Sequence, residues 1–265
     1  MIAEGLKDYP SPRIYPILKR LLKNLAKRAG YQLVNLKQPV TEGLYPPDFG
    51  QQDVEIVLKV RDFSMSTPER IFCLMRAVEY VCANKIPGSI VECGVWRGGS
   101  MMTVALTLMR AGLTDRDLFL FDTFQGMTQP SDADGEWEKQ MWSKNQTATH
   151  NKWAFSPIDE VKGNMGGTGY PPDRIHYVVG KVEETIPDSA PESISILRLD
   201  TDWYESTKHE LIHLYPRMSR GGVLIIDDYG AFQGARKAVD EFVQENGLCL
   251  LLNRIDRDSR IAVKP

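Results

Sequence analysis

Cysteine is scarce in this chain: four in 265 residues, Cys73, Cys82, Cys93 and Cys249, with no CxxC pair among them. That excludes a disulfide frame and a thiolate zinc site, and the four read as buried free thiols in a reducing compartment, Cys93 and Cys249 each inside an apolar strand. No apolar run approaches the length of a membrane span, and the first residues lack a signal-peptide core, so a soluble, cytoplasmic protein with no membrane partner is expected. Positive charge shows no surplus. Thirty-two Lys and Arg stand against 35 Asp and Glu, a net charge of -3, which argues against a nucleic-acid partner. GxGxxG and the phosphate loop's Lys-Ser/Thr are both missing, which counts against a nicotinamide dehydrogenase and a P-loop enzyme. Internal repeats and low-complexity segments are absent as well.

What is present is an ordinary globular composition, 42% apolar and 25% charged, enough for a substantial core. Its most informative stretch is Leu197 to Tyr229. The apolar run Ile194–Leu199 is too short for a helix and ends in Asp200 and Asp202; a helical segment follows; then Gly221-Gly222 opens Val223–Ile226, which ends in Asp227-Asp228. Two buried strands joined by one helix form a β-α-β unit, so their carboxyl ends share one sheet edge, where open α/β folds bind ligands. Carboxylates gathered at one spot repel unless a cation sits among them, which points to an oxygen-rich divalent-metal site. Each acid has a blander use. Asp202 could cap the helix starting near Glu205, and Asp227 or Asp228 the one starting near Phe232.

Upstream, Ser66-Thr67-Pro68-Glu69 predicts a helix start, with the helix running to about Asn84. A strand over Ser89–Cys93 then runs into Gly94-Val95-Trp96-Arg97-Gly98-Gly99-Ser100 and a helix over Met101–Met109. An acid at a strand end (Glu92), glycines and a helix N-terminus make a nucleoside-type cradle. The strand Leu118–Asp122 ends in another acid, where nucleoside-binding folds carry a ribose-binding carboxylate. The stretch 123–174 interrupts the rhythm. It carries Trp137, Trp142 and Trp153 and reads as a lid or binding insertion with a helix starting near Ser156. Strands are expected over Ile175–Val179, Leu248–Leu252 and Arg260–Val263, the last two as an antiparallel hairpin closing one edge. Ahead of all this, Tyr15–Ala29 is a basic amphipathic helix by spacing and Tyr31–Gln51 an irregular connector.

Glu92–Ser100, Asp122-Thr123-Phe124-Gln125-Gly126, Leu197–Thr207 and Asp227-Asp228-Tyr229, in that order, resemble the macrocin O-methyltransferase family, metal-dependent enzymes that methylate sugar hydroxyls in macrolides and in aminocoumarins such as novobiocin. The resemblance covers about residues 62–265. It implies a Rossmann-like, seven-stranded methyltransferase fold, α/β, mostly parallel with a C-terminal antiparallel strand. The domains would be an N-terminal helical and irregular extension, 1–62, and a methyltransferase domain, 63–265, with the lid over 123–174. The implied cofactors are S-adenosylmethionine and magnesium. By the same likeness Met65, Ser66, Glu92, Gly94, Trp96, Ser100, Asp122, Thr123, Phe124, Gly126 and Asp200 would contact S-adenosylmethionine; Asp200, Asp227 and Asp228 would hold magnesium; and Asp202 would be the general base. The acceptor would be a small molecule, a glycoside or another diol. A catechol or other small phenol, itself a vicinal diol, is the alternative. His209 and His213 fall within the helix after Asp202 and read as surface or packing residues. The lid sequence and the N-terminal segment lie outside the likeness; the segment's expected role is to make a homodimer or higher homo-oligomer.

Overall fold

The computed structural model describes residues 45–265. The chain divides after Gln51. The expected helix over Tyr15–Ala29 and the oligomer-forming role of the N-terminal segment therefore lie outside the described residues. Ahead of the division the rings of Tyr45 and Phe49 stack with centroids 5.6 Å apart. The second unit, Gln52–Pro265, opens within helix α1 (Gln51–Val60), whose Val54, Ile56, Val57 and Val60 are buried, so this unit begins ahead of residue 63.

Helix α2 (Pro68–Ala83) starts as its sequence predicts. Pro68 occupies the first turn, where its missing N–H costs nothing, and the Thr67 side chain accepts the N–H of Arg70 at 3.3 Å. Strand β1 (Ser89–Cys93) then enters the sheet. Helix α3 (Gly99–Arg110) begins two residues earlier than the Met101 start expected. The chain continues through β2 (Leu118–Asp122), α4 (Glu136–Asn145), α5 (Ile158–Gly166), β3 (Ile175–Val179), the short α6 (Val182–Thr185) and β4 (Ile194–Leu199). It ends with α7 (Tyr204–Leu214), β5 (Met218–Ile226), α8 (Gln233–Glu245), β6 (Asn253–Arg254) and β7 (Arg260–Val263).

The seven strands form one sheet in the order β3-β2-β1-β4-β5-β7-β6. The first five run parallel, and β7 is antiparallel to both β5 and β6. Every residue of β4 is buried, as expected of a strand covered by helices on both faces. Between β1 and β4 the winding reverses direction. In open α/β sheets the crevice beyond the carboxyl ends at such a switch point is where ligands bind. Hydrogen bonds line those ends up: Asp200 N–H donates to Cys93 O at 2.8 Å, Asp227 N–H to Leu199 O at 2.9 Å, and Gly94 N–H to Phe121 O at 2.9 Å.

Two expectations need correcting. Leu248–Leu252 is no strand. Leu248, Leu250 and Leu252 pack against the core while Leu251 is 76% exposed, so the alternation marks a half-buried extended segment, and ladder pairing starts only at Asn253. Cys249 is accordingly exposed, Cys73 and Cys82 are half-buried, and Cys93 alone of the four is buried. The 123–174 stretch is also not one insertion. Its second half supplies α5, the crossover helix between β2 and β3, whose Val161 and Met165 are buried, leaving the part before α5 as the addition at the ligand edge.

Candidate active site

At the ends of β1 and β2 the backbone is held in conformations that most side chains avoid. Gly94 has φ 84°, and a Cβ there would stand 2.0 Å from the Asp200 carbonyl oxygen. Glycine is therefore required to bring the ends of β1 and β4 together, beyond any need to admit a ligand. Trp96 and Phe124 take φ 47° and 54° without being glycine, the kind of local strain that collects at binding sites. Asp122 ties these turns down. One carboxylate oxygen accepts the N–H groups of Val95 (2.7 Å) and Trp96 (3.1 Å), the other that of Phe124 (2.7 Å). Burial raises the Asp122 pKa, and these three N–H donors oppose that shift.

At the ends of β4 and β5 the acids face one another. Single carboxylate oxygens of Asp200, Asp202 and Asp228 lie within 4.8 Å of each other. Asp202 occupies a left-handed conformation, φ 70°, that aims the turn after β4 back over the sheet edge. Burial pushes its pKa up to about 8; the charges of Asp200 and Asp227 add to the rise and a hydrogen bond with Asp228 opposes it. Asp228 is raised well above the usual carboxylate range, first by burial and then by Asp202 and Asp227, and Asp200 rises in the same direction from burial despite its ion pair with Arg198. The capping alternative fails here. Trp203 and Phe232 are the N-cap residues of α7 and α8, and neither helix has a side-chain cap of its own.

Asp227, expected among the metal ligands, stands apart from this cluster. Its two oxygens meet Arg70 Nη1 and Arg198 Nη2, each at 2.6 Å, and the Ser259 hydroxyl donates to its carbonyl at 2.6 Å. The acid grouped with Asp200 and Asp228 is Asp202 instead, because the guanidinium groups of half-buried Arg70 and buried Arg198 occupy Asp227. Arg198 also holds Asp200 at 2.6 Å and pairs with Glu92, its partner across β1 and β4. Glu92 is 1% exposed, and burial pushes its pKa up to about 7 against the pull of Arg198.

One cavity of about 410 Å³ joins the two ends. Met65, Ser66, Gly94, Trp96, Ser100, Asp122, Thr123, Gly126 and Asp200 line it, as do Asp202, Asp227 and Asp228. Two residues expected at the cofactor do not. Glu92 lies beneath the floor on Arg198, and Phe124 turns its ring into the core, leaving 5% exposed. His209 bonds the Ile186 carbonyl at 3.0 Å and packs on His213, and neither lines the cavity.

Sequence reasoning passed over Arg198, Arg70 and Asp134. Arg198 had a signal, a lone cation in an otherwise apolar strand. Arg70 had none, since its partners Asp227, Asp256 and Asp258 lie far along the chain. Asp134, 4% exposed, fastens the added segment to the sheet edge: it accepts the Tyr204 N–H at 2.9 Å at the start of α7 and the Ser131 N–H at 2.7 Å.

The fold is shared by the O-methyltransferase NovP. That structure superposes with a TM-score of 0.70 at 26% identity, covering 94% of this chain and 98% of its own. The tetracenomycin enzyme 8-demethyl-8-(2,3-dimethoxy-alpha-L-rhamnosyl)-tetracenomycin-C 4'-O-methyltransferase of Streptomyces olivaceus is 31% identical over 241 residues, 89% of each chain. Mycinamicin III 3''-O-methyltransferase of Micromonospora griseorubida is 31% identical over 191 residues, 71% of this chain and 73% of that one. The fold, the site and these relatives define the protein as an O-methyltransferase. Residues 58–262 match the macrocin-O-methyltransferase (TylF) family, and the chain belongs to it.

Proposed function

We propose that the chain transfers a methyl group from S-adenosylmethionine to a sugar hydroxyl of a glycosylated natural product, with magnesium at the acid cluster. The observation that carries this reading is one cavity with a glycine turn and Asp122 at one end and Asp200, Asp202 and Asp228 at the other. The activities for which the relatives are named, O-methylation of a rhamnosyl-tetracenomycin and of mycinamicin III, support the acceptor class.

The acid cluster fits a divalent cation on its own terms. Asp228 Oδ2 is buried with no hydrogen-bond partner among the described residues, and three hard oxygen donors converge within 4.8 Å of one another. Such a donor set suits magnesium, which keeps water in its remaining positions. S-adenosylmethionine would supply the electrophilic methyl group, and magnesium would lower the pKa of an acceptor hydroxyl.

The chain's own residues do the rest. Asp122 fixes the Val95–Trp96 turn, so the wall facing a nucleoside is built before any ligand arrives. Asp200 and Asp228 are the metal-holding pair, and Asp227, clamped by Arg70 and Arg198, steadies Asp228 beside it. Asp202 takes the proton of the attacking hydroxyl. Burial, which raises its pKa, makes it a stronger base than an exposed aspartate. Alignment of hydroxyl oxygen, methyl carbon and sulfur is then a matter of positioning.

Calorimetric titration with S-adenosylhomocysteine, with and without magnesium, tests the reading. Micromolar binding is expected. No binding under either condition would overturn it.

A further inference from the structure

Beside the acid cluster the cavity has an aromatic side that no step above employs. Trp153 and Phe232 line the cavity. Trp153 meets Trp137 edge to face at 5.7 Å, Trp203 edge to face at 5.5 Å, and Phe232 at 6.4 Å. This wall is anchored to the acids. Trp203 directly follows Asp202 and donates its indole N–H to Thr128 O at 2.9 Å, and Phe232 N–H donates to Asp228 O at 3.0 Å. Trp153 is fixed too: its N–H donates to Asn151 Oδ1 at 2.9 Å, and its carbonyl accepts the Met127 N–H at 3.1 Å. Asn151 is 2% exposed and bonds the Trp142 carbonyl at 2.9 Å. Trp137, by contrast, leaves 57% of its surface exposed.

A rigid ring system beside a cation-seeking acid cluster suits a ligand with hydroxyls on one side and an apolar C–H face on the other, which is the shape of a sugar ring. Aromatic faces carry negative charge and attract the weakly positive hydrogens of such a face. Charge narrows the class further. Among the described residues the cations lining the cavity are Arg70 and Lys181, outnumbered by carboxylates. Arg70 is spent on Asp227, Asp256 and Asp258, and Lys181 points its Nζ to within 3.9 Å of Glu184. Lys181 is more than half exposed and its contact with Glu184 is loose, so it is the excess of carboxylates, not pairing of both cations, that disfavours a phosphate here.

We propose that Trp153, backed by Trp137 and Phe232, is the platform on which an uncharged sugar ring of the acceptor stacks. This rests on the sugar-methylating reading above.

The test is saturation-transfer NMR on the full chain loaded with S-adenosylhomocysteine and magnesium. The probes are methyl α-L-rhamnopyranoside, methyl β-D-glucopyranoside and thymidine diphosphate glucose. Transfer to ring C–H protons of at least one methyl glycoside is expected, exceeding that to the nucleotide sugar. It should fall at least fivefold in Trp153→Ala and stay within twofold in Trp153→Phe, with affinity for S-adenosylhomocysteine unchanged in both. Equal transfer in Trp153→Ala, stronger transfer to the nucleotide sugar, or no glycoside signal from protein that binds S-adenosylhomocysteine would each overturn the proposal. Failure to bind S-adenosylhomocysteine would instead strike the methyl-transfer reading itself.

Discussion

The two ends of the cavity treat carboxylates in opposite ways. Asp122 is satisfied within the chain, its oxygens already accepting three backbone N–H groups. Asp200, Asp202 and Asp228 crowd together, and Asp228 keeps a buried oxygen with no donor among the described residues. The first end is a finished surface; at the second Arg198 pairs with Asp200 and leaves that Asp228 oxygen unpartnered. A carboxylate's meaning in such a site thus depends on whether its neighbours are N–H donors or other carboxylates.

Four expected outcomes sharpen or break that contrast. The largest effect belongs to Asp202→Asn, which removes the proposed base without changing shape. Turnover should fall by about 10²- to 10⁴-fold, the usual contribution of a general base, with S-adenosylhomocysteine affinity kept. An equal loss of both would show that the two ends are not separate. Asp227→Asn should likewise stop methyl transfer while sparing S-adenosylhomocysteine affinity, read by calorimetry beside an activity assay.

Next comes pH. In the metal-free fold the pKa of Asp202 is about 8 against an ordinary 3.8, so the folded state holds a proton that the unfolded chain releases. The slope of stability with pH is therefore negative between those values, and the metal-free protein loses stability as pH rises from 5 toward about 8. The proposed magnesium would answer the same deficit, so its upward shift of Tm should be larger at pH 8 than at pH 5.5, and at about 100 times Kd worth about 2.7 kcal/mol. Scanning calorimetry at the two pH values checks this; an equal shift at both would remove the idea of an unmet charge.

The smallest effect is the most exclusionary. His209→Gln and His213→Gln should leave kcat within about twofold, since neither side chain lines the cavity. A large kcat loss without a loss of Tm would bring the histidines back as candidate bases.

Much of this was legible because strand ends are marked in the chain. Short apolar runs closing on Asp122, Asp200 and Asp227-Asp228 located three of the parallel strands, and Thr67-Pro68 marked the start of α2. The hairpin misreading at Leu248–Leu252 has the opposite cause: alternation reports which side is buried, and says nothing of whether a neighbouring strand stands at hydrogen-bonding distance. The fate of Asp227 was illegible for a similar reason. Its clamp comes from Arg70, 157 positions away, and from Arg198 on the neighbouring strand. The lid reading was too broad because a crossover helix and an insertion look alike until α5 is seen packed between β2 and β3 in chain order.

By itself, the sequence determined which residues stand at the carboxyl edge of the sheet, because alternating strands and helices force parallel pairing and bring all strand ends to one side. Only the tertiary structure decided what each of those residues faces. The register that sets Glu92 against Arg198, and the arrival of Arg70 and Trp153 from distant parts of the chain, depend on packing between elements that no local pattern encodes.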